Sequence, residues 1–210
     1  MGNQDQVMGL FPIPLMICSY PFNFSKELEW INKQECGKPN RGPTGSGNYQ
    51  SEDTFILDKV ELKRVRTFIE TKLNNFMSTV YGSKKKLAIT QSWLNKAGKG
   101  ESHHDHVHPN SLVSGVWYPA IDEQLPPIQF RNASQGDIDV KPEKWNNYNS
   151  LSFMLPLKAG ELILFPSRQP HSVPVNRSDK ERISLSFNTW PKGDLGTIDT
   201  LTYLPLHKLT

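Results

Sequence analysis

Residues 171–188 read HSVPVNRSDKERISLSFN, and the second half of this stretch decides the fold. From Arg182 onward the side chains alternate. Ile183, Leu185 and Phe187 fall on one side, and Arg182, Ser184 and Ser186 on the other. That is the period-two pattern of a β-strand, with one apolar face and one polar face. Upstream, ELILFP at 161–166 follows the turn LKAG and is apolar enough for a buried strand. Further strand character lies at 87–94, 112–119, 126–131 and 150–155. Short strands at this spacing, with no internal repeat, predict a sandwich or jelly roll.

The first part of the chain has a different period. Over 58–81, Val60, Leu62, Val65, Phe68, Ile69, Leu73, Phe76, Met77 and Val80 recur three and four residues apart. This predicts a helix packed on a sheet, with Asp58 as N-cap and Gly82 past its end. A shorter helix is expected over 23–34, capped by Asn23 or Ser25. Between them, GKPNRGPTGSGNYQ at 37–50 reads as a loop. The fold class is mainly β with N-terminal helices (α+β). One domain over 1–210 is expected: helical support in 1–85, the β core in 86–192 and a C-terminal extension in 193–210.

Composition excludes several classes. Charged residues are 21%, an ordinary globular share, so wholesale disorder is not expected. The net charge of +3 and the single basic run Lys84-Lys85-Lys86 are too little for a nucleic-acid face. Cys18 and Cys36 do not form a CxxC pair or imply a disulfide framework. The apolar stretch 10–17 is broken by Pro12 and Pro14 and has no basic residue before it, unlike a signal peptide. Gln6 stands where N-myristoylation needs Ser or Thr. No run is long enough to span a bilayer. A cytoplasmic protein is expected.

Four of the six histidines lie at 103, 104, 106 and 108, within SHHDHVHP. Taken alone, such a run is often an exposed polar loop. Buried imidazoles each need a partner, however, and imidazole is the commonest metal ligand. A distant third ligand is available in FPSRQPHSVP, at His171, and Arg182 follows eleven residues later. By strand alternation either His103 and Asp105 or His106 and His108 can supply two ligands together. A triad of this kind leaves open positions on iron. The Arg182 fork suits a carboxylate at the bottom of the pocket, and Ser184, on the same face, can donate a second hydrogen bond. Trp93, Asn95, Ser114, Tyr118 and Asn188 are candidate pocket residues, with core packing or turn capping as their bland alternative. Gly115 suggests a bend or a close backbone approach.

The order HxD/E, distal His, then Arg with a nearby Ser resembles the 2-oxoglutarate/Fe(II) dioxygenases. HVHPNSLVSGVWY at 106–118 and HSVPVNRSDKERISLSFN at 171–188 are similar to one branch of them, found in marine bacteria and cyanobacterial phages. FPIPLMICSYP and WLNKAGKGESH look like the same branch. The resemblance implies a double-stranded β-helix (jelly-roll, cupin-like) core. It also implies Fe(II) and 2-oxoglutarate, with ascorbate as an accessory reductant. Carried over by motif, the ligands are His106, His108 and His171, with Arg182 and Ser184 holding the cosubstrate. The position usually filled by a carboxylate is then His108, and the rival pair is His103 with Asp105. The implied reaction is hydroxylation of a protein side chain, such as proline, or of a small molecule, with release of succinate and CO2. A three-histidine cupin-type dioxygenase without cosubstrate, and a non-catalytic jelly-roll binding protein, are the alternatives. Expected partners are a peptide or small-molecule substrate and at most a second copy of the chain, with host cytoplasm as the setting if the gene belongs to a phage.

Overall fold

The computed structural model describes residues 6–43, 45, 47–133 and 141–208. Its strands are β1 (Met16–Ser19), β2 (Lys38–Arg41), β3 (Gly47–Gln50), β4 (Leu87–Ala97), β5 (His103–His106), β6 (Val113–Ala120), β7 (Ile128–Arg131), β8 (Ser152–Leu155), β9 (Glu161–Pro166), β10 (His171–Val173) and β11 (Arg182–Pro191). Its helices are α1 (Ser25–Asn32) and α2 (Lys63–Tyr81). The strands form two antiparallel sheets, ordered β1-β9-β6-β11-β4-β3-β2 and β5-β10-β7-β8. The jelly-roll expectation holds.

The alternation in β11 decides how the layers stack. Ile183, Leu185 and Phe187 are buried with Trp117, Leu162 and Leu164 against Val65, Phe68, Ile69, Leu73 and Phe76 of α2. A stripe three to four residues apart turns one helix face onto the sheet. α2 ends where Gly82 adopts φ 59, a left-handed position that costs glycine nothing. The opposite face of the large sheet meets the small one. There Val116, Tyr118, Ile163 and Phe165 pack with Ile128, Phe130, Leu155 and Leu157. Gly115 is a close-approach position, because a Cβ there would run into the ring of Phe187 and Leu164 Cδ2.

Three local expectations are corrected. The Gly- and Pro-rich stretch 37–50 is a β2–β3 hairpin, because Tyr49 and Gln50 pair with Lys96 and Asn95 of β4. A sheet edge supplied by distant sequence overrides the local preference for a loop. The long helix begins at Lys63 instead of 58. Two 3₁₀ turns precede it, Ile56–Asp58 and Val60–Leu62, separated by Lys59 in an extended conformation. Ser92 Oγ accepts the Leu57 N–H, which pins the first turn to β4. Asp58 pairs with Arg66 and makes no cap bond. The residues before 86 also contribute more than helices, since β1, β2 and β3 join the large sheet.

Candidate metal centre

The centre forms where the ends of two short strands meet. β10 pairs with β5 so that His171 lies opposite His106, and Val173 opposite His103. Two steps on β10 thus match three on β5, which is a β-bulge. A bulge resets which side chains share a face. Simple alternation would set His103 beside Asp105. Instead His103 stacks on His106, with centroids 4.3 Å apart and planes 16° from parallel. Asp105 turns outward and accepts a hydrogen bond from Arg131 Nε at 2.8 Å.

His106, His108 and His171 each offer one nitrogen, and these three lie within 4.8 Å of one another. Asp105 is not part of that group. His171 Nδ1 faces the Gln169 carbonyl at 2.9 Å, and His106 Nδ1 faces the His104 carbonyl at 2.8 Å. A carbonyl can only accept, so both Nδ1 atoms carry the proton and both Nε2 atoms keep a free lone pair. His108 Nε2 and His171 Nε2 are 3.3 Å apart. Two imidazoles bound at about 2.1 Å on a right angle would bring their nitrogens to about 3.0 Å. The spacing therefore suits a shared cation.

Burial keeps these rings neutral. It lowers His171 to about 3 and His108 to about 4, and the nearby His106 pushes both further in the same direction. Burial also lowers His106 and His103. Neutral imidazole is the metal-binding form. Phe165 and Phe130 pack on the His171 ring, with centroids 4.9 and 6.1 Å away, and shield it from solvent.

The polar face of β11 looks into the same space between the sheets. Arg182 is 4% exposed, with its guanidinium 5.2 Å over the Tyr118 ring. Its Nε donates to the Pro126 carbonyl at 3.0 Å, and Nη1 donates to Ser184 Oγ at 3.2 Å. Among the described residues no carboxylate lies within ion-pair distance of it. A buried cation without a counter-ion is costly. Tyr118 Oη and Trp93 Nε1 are buried without a hydrogen-bond partner among the described residues, although Trp93 lies beside His108 with centroids 5.9 Å apart. One unpaired guanidinium and two unpartnered groups fit an anionic ligand here.

The other pocket candidates are already engaged. Ser114 Oγ donates to Asn188 Oδ1 at 2.8 Å and lies 2.8 Å from Ser167 Oγ, in a hydroxyl network that includes Ser111. Asn95 Nδ2 donates to Ser186 Oγ at 3.0 Å, and Asn95 Oδ1 accepts from Asn48 and Gln50. Asn40 and Asn48 were missed from the sequence. They sit in the stretch read as a loop, and asparagine there looks like ordinary turn chemistry. Among the described residues no helix is long and apolar enough to cross a membrane.

Residues 91–188 match the 2OG-Fe(II) oxygenase family. The matched stretch runs from β4 to β11 and holds the three clustered histidines and Arg182. The match spans 98 of the 210 residues, and with the donor set it indicates an oxygenase enzyme with Fe(II) and 2-oxoglutarate as its cofactors. A search of curated proteins finds no match. Solved structures of similar fold include the epimerase SnoN from nogalamycin biosynthesis, described as non-heme and alpha-ketoglutarate dependent. It is 13% identical with a TM-score of 0.62, covering 84% of this chain and 76% of that one. HygX from Streptomyces hygroscopicus, solved with nickel and 2-oxoglutarate, is 10% identical with a TM-score of 0.61, covering 92% of each chain. A prolyl-4-hydroxylase from Pseudomonas putida is 10% identical with a TM-score of 0.57, covering 86% and 94%. At such identities the likeness is one of fold.

Proposed function

We propose that this chain hydroxylates a protein side chain, such as proline, or a small molecule, with release of succinate and CO2. The observation that carries the reading is Arg182, a buried and unpaired guanidinium sharing an inter-sheet space with three neutral imidazoles. In this reading His106, His108 and His171 hold Fe(II), and Asp105 stays with Arg131. Arg182 and Ser184 take the distal carboxylate of 2-oxoglutarate. The Ser184 hydroxyl accepts from Arg182 and so keeps its own proton to donate. Tyr118 Oη supplies a further donor beside the guanidinium. Bound together, Fe(II) and 2-oxoglutarate would use O2, one atom going to succinate in decarboxylation of the cosubstrate and the other into a substrate C–H bond.

The chain's own part is positioning and shielding. The carbonyls of His104 and Gln169 fix two imidazole tautomers, Phe130 and Phe165 exclude water, and the arginine sets the cosubstrate's orientation. Three neutral ligands leave the charge of the metal uncompensated, and the cosubstrate dianion offsets it. The motifs at 106–118 and 171–188 further support membership of the phage and marine-bacterial branch. Peptide and small-molecule substrates are both supported by the fold neighbours, which include a prolyl-4-hydroxylase in complex with a hypoxia inducible factor peptide fragment and HygX with hygromycin B bound.

Succinate release tests the proposal. Purified protein with Fe(II), ascorbate and 2-oxoglutarate is assayed against a panel of peptides and metabolites. Succinate formed in step with O2 uptake is the expected result. O2 uptake with no succinate would instead favour a cosubstrate-independent three-histidine dioxygenase, and absence of 2-oxoglutarate binding would refute the assignment of Arg182.

A further inference from the structure

The β2–β3 hairpin reaches the centre through side chains that form one connected line. Asn40 Nδ2 lies 2.8 Å from His103 Nε2 and also donates to Asn48 Oδ1 at 3.1 Å. Asn48 Nδ2 donates to Asn95 Oδ1 at 3.1 Å, and Asn95 Nδ2 donates to Ser186 Oγ at 3.0 Å. Asn48, Asn95 and Ser186 are at most 9% exposed. The line therefore runs from β11 through β4 and the hairpin to His103. Its last member is stacked on His106. Asn40 faces His103 with a donor, so His103 Nε2 accepts and its ring is neutral. The bulge in β5 is what turns His103 inward to receive this bond.

We propose that Asn40 and His103 are positioning residues that couple the β2–β3 hairpin to the metal centre, His103 bracing the His106 ring and Asn40 fixing His103. The inference rests on the proposed ligand set. The Nδ1–H bond to the His104 carbonyl fixes the edge of the His106 ring, and the His103 ring covers one face. Removing Asn40 takes away the hydrogen bond that both orients His103 and ties the hairpin to it. Hydrogen-bonded buried networks rigidify their members only while each partner is satisfied. Coupling is reciprocal, so a cation that orders the imidazoles must also order the hairpin.

The test uses Co(II) in the full-length protein, with three readouts: its affinity, its visible d–d spectrum, and the rate of tryptic cleavage after the exposed Arg41 in β2. In wild type, Co(II) is expected to slow that cleavage by about fivefold or more. Asn40→Ala is expected to weaken Co(II) by about 10-fold to 100-fold, as loss of an outer partner does, to alter the spectrum, and to abolish the protection. His103→Phe keeps a ring to stack but cannot accept from Asn40. It should weaken Co(II) by about as much as Asn40→Ala does and likewise lose the protection. Circular dichroism and urea midpoints establish that both variants are folded. If both variants match wild type in spectrum and protection, the coupling does not exist. If His103→Phe abolishes Co(II) binding, His103 is a ligand and the positioning role is wrong. If wild type itself binds no Co(II), the proposed ligand set fails and the inference falls with it.

Discussion

Arg182→Met separates stability from cosubstrate binding. In wild type the guanidinium is 4% exposed and has no carboxylate partner among the described residues, so its desolvation is uncompensated until an anion arrives. Replacing it with methionine relieves that cost. It also leaves the Pro126 carbonyl without its donor, a penalty of about 1–3 kcal/mol. The two effects oppose each other and are of similar size. The stability of the unliganded protein is therefore expected to stay within about 1.5 kcal/mol of wild type. Binding should respond differently. Truncating one partner of a buried, hydrogen-bonded charge pair costs about 2–5 kcal/mol. At about 1.4 kcal/mol per tenfold, that is about 30-fold to about 4,000-fold in 2-oxoglutarate affinity. Wild type with 2-oxoglutarate at 100 times its Kd should gain about 2.7 kcal/mol of stability, of which the variant keeps at most about 0.9 kcal/mol at the same concentration. Thermal or urea unfolding of the Co(II)-loaded proteins, with and without 2-oxoglutarate, measures both. A variant that binds 2-oxoglutarate within threefold of wild type would refute the assignment. A variant unfolded without ligand would instead refute the predicted balance of the two stability terms.

Other outcomes follow from the same geometry. Asp105→Ala should leave Co(II) affinity within a few-fold of wild type, since the carboxylate pairs with Arg131, whereas His108→Ala should lose more than the about 10–100-fold typical of an outer-shell change; isothermal titration checks both, and the reverse pattern would restore the aspartate as a ligand. For the metal-free protein, His108 and His171 titrate near 4 and 3 when folded and near 6.5 when unfolded, so the unfolded chain binds more protons below 6.5. Stability should therefore fall as pH drops from 6.5 through about 4 and 3, and level off below; a urea series that is flat between pH 6.5 and 4.5 would contradict buried neutral imidazoles. Metal affinity should change little at neutral pH and collapse only as pH approaches 4, read from Co(II) absorbance. Gly115→Ala should destabilise by about 1–3 kcal/mol with an unchanged m-value, because the new methyl meets Phe187 and Leu164 in a filled core.

Much of this protein was legible in its sequence. The alternation in 182–190 set a strand with one apolar and one polar face, and both faces find the surroundings that pattern requires. The helical stripe from Val65 to Met77 fixed which side of α2 meets the sheet. The histidine run, His171 and Arg182 marked the candidate centre, and the fold brings three of those imidazoles together. These features are local periodicities or residue chemistry, and the chain carries them wherever it goes.

Register, by contrast, is a tertiary property. One extra residue on β5 opposite β10 turns His103 inward and Asp105 out to Arg131, a choice that spacing alone left open. The hairpin at 38–50 exists because β4 offers it an edge, and no local signal distinguishes it from a loop. Asn40 and Asn48 gain their meaning only when that hairpin folds back beside His103. The sequence by itself determined which groups could do the chemistry. The pairing of distant strands decided which of them face one another, since a shift of a single residue exchanges the two sides of a sheet.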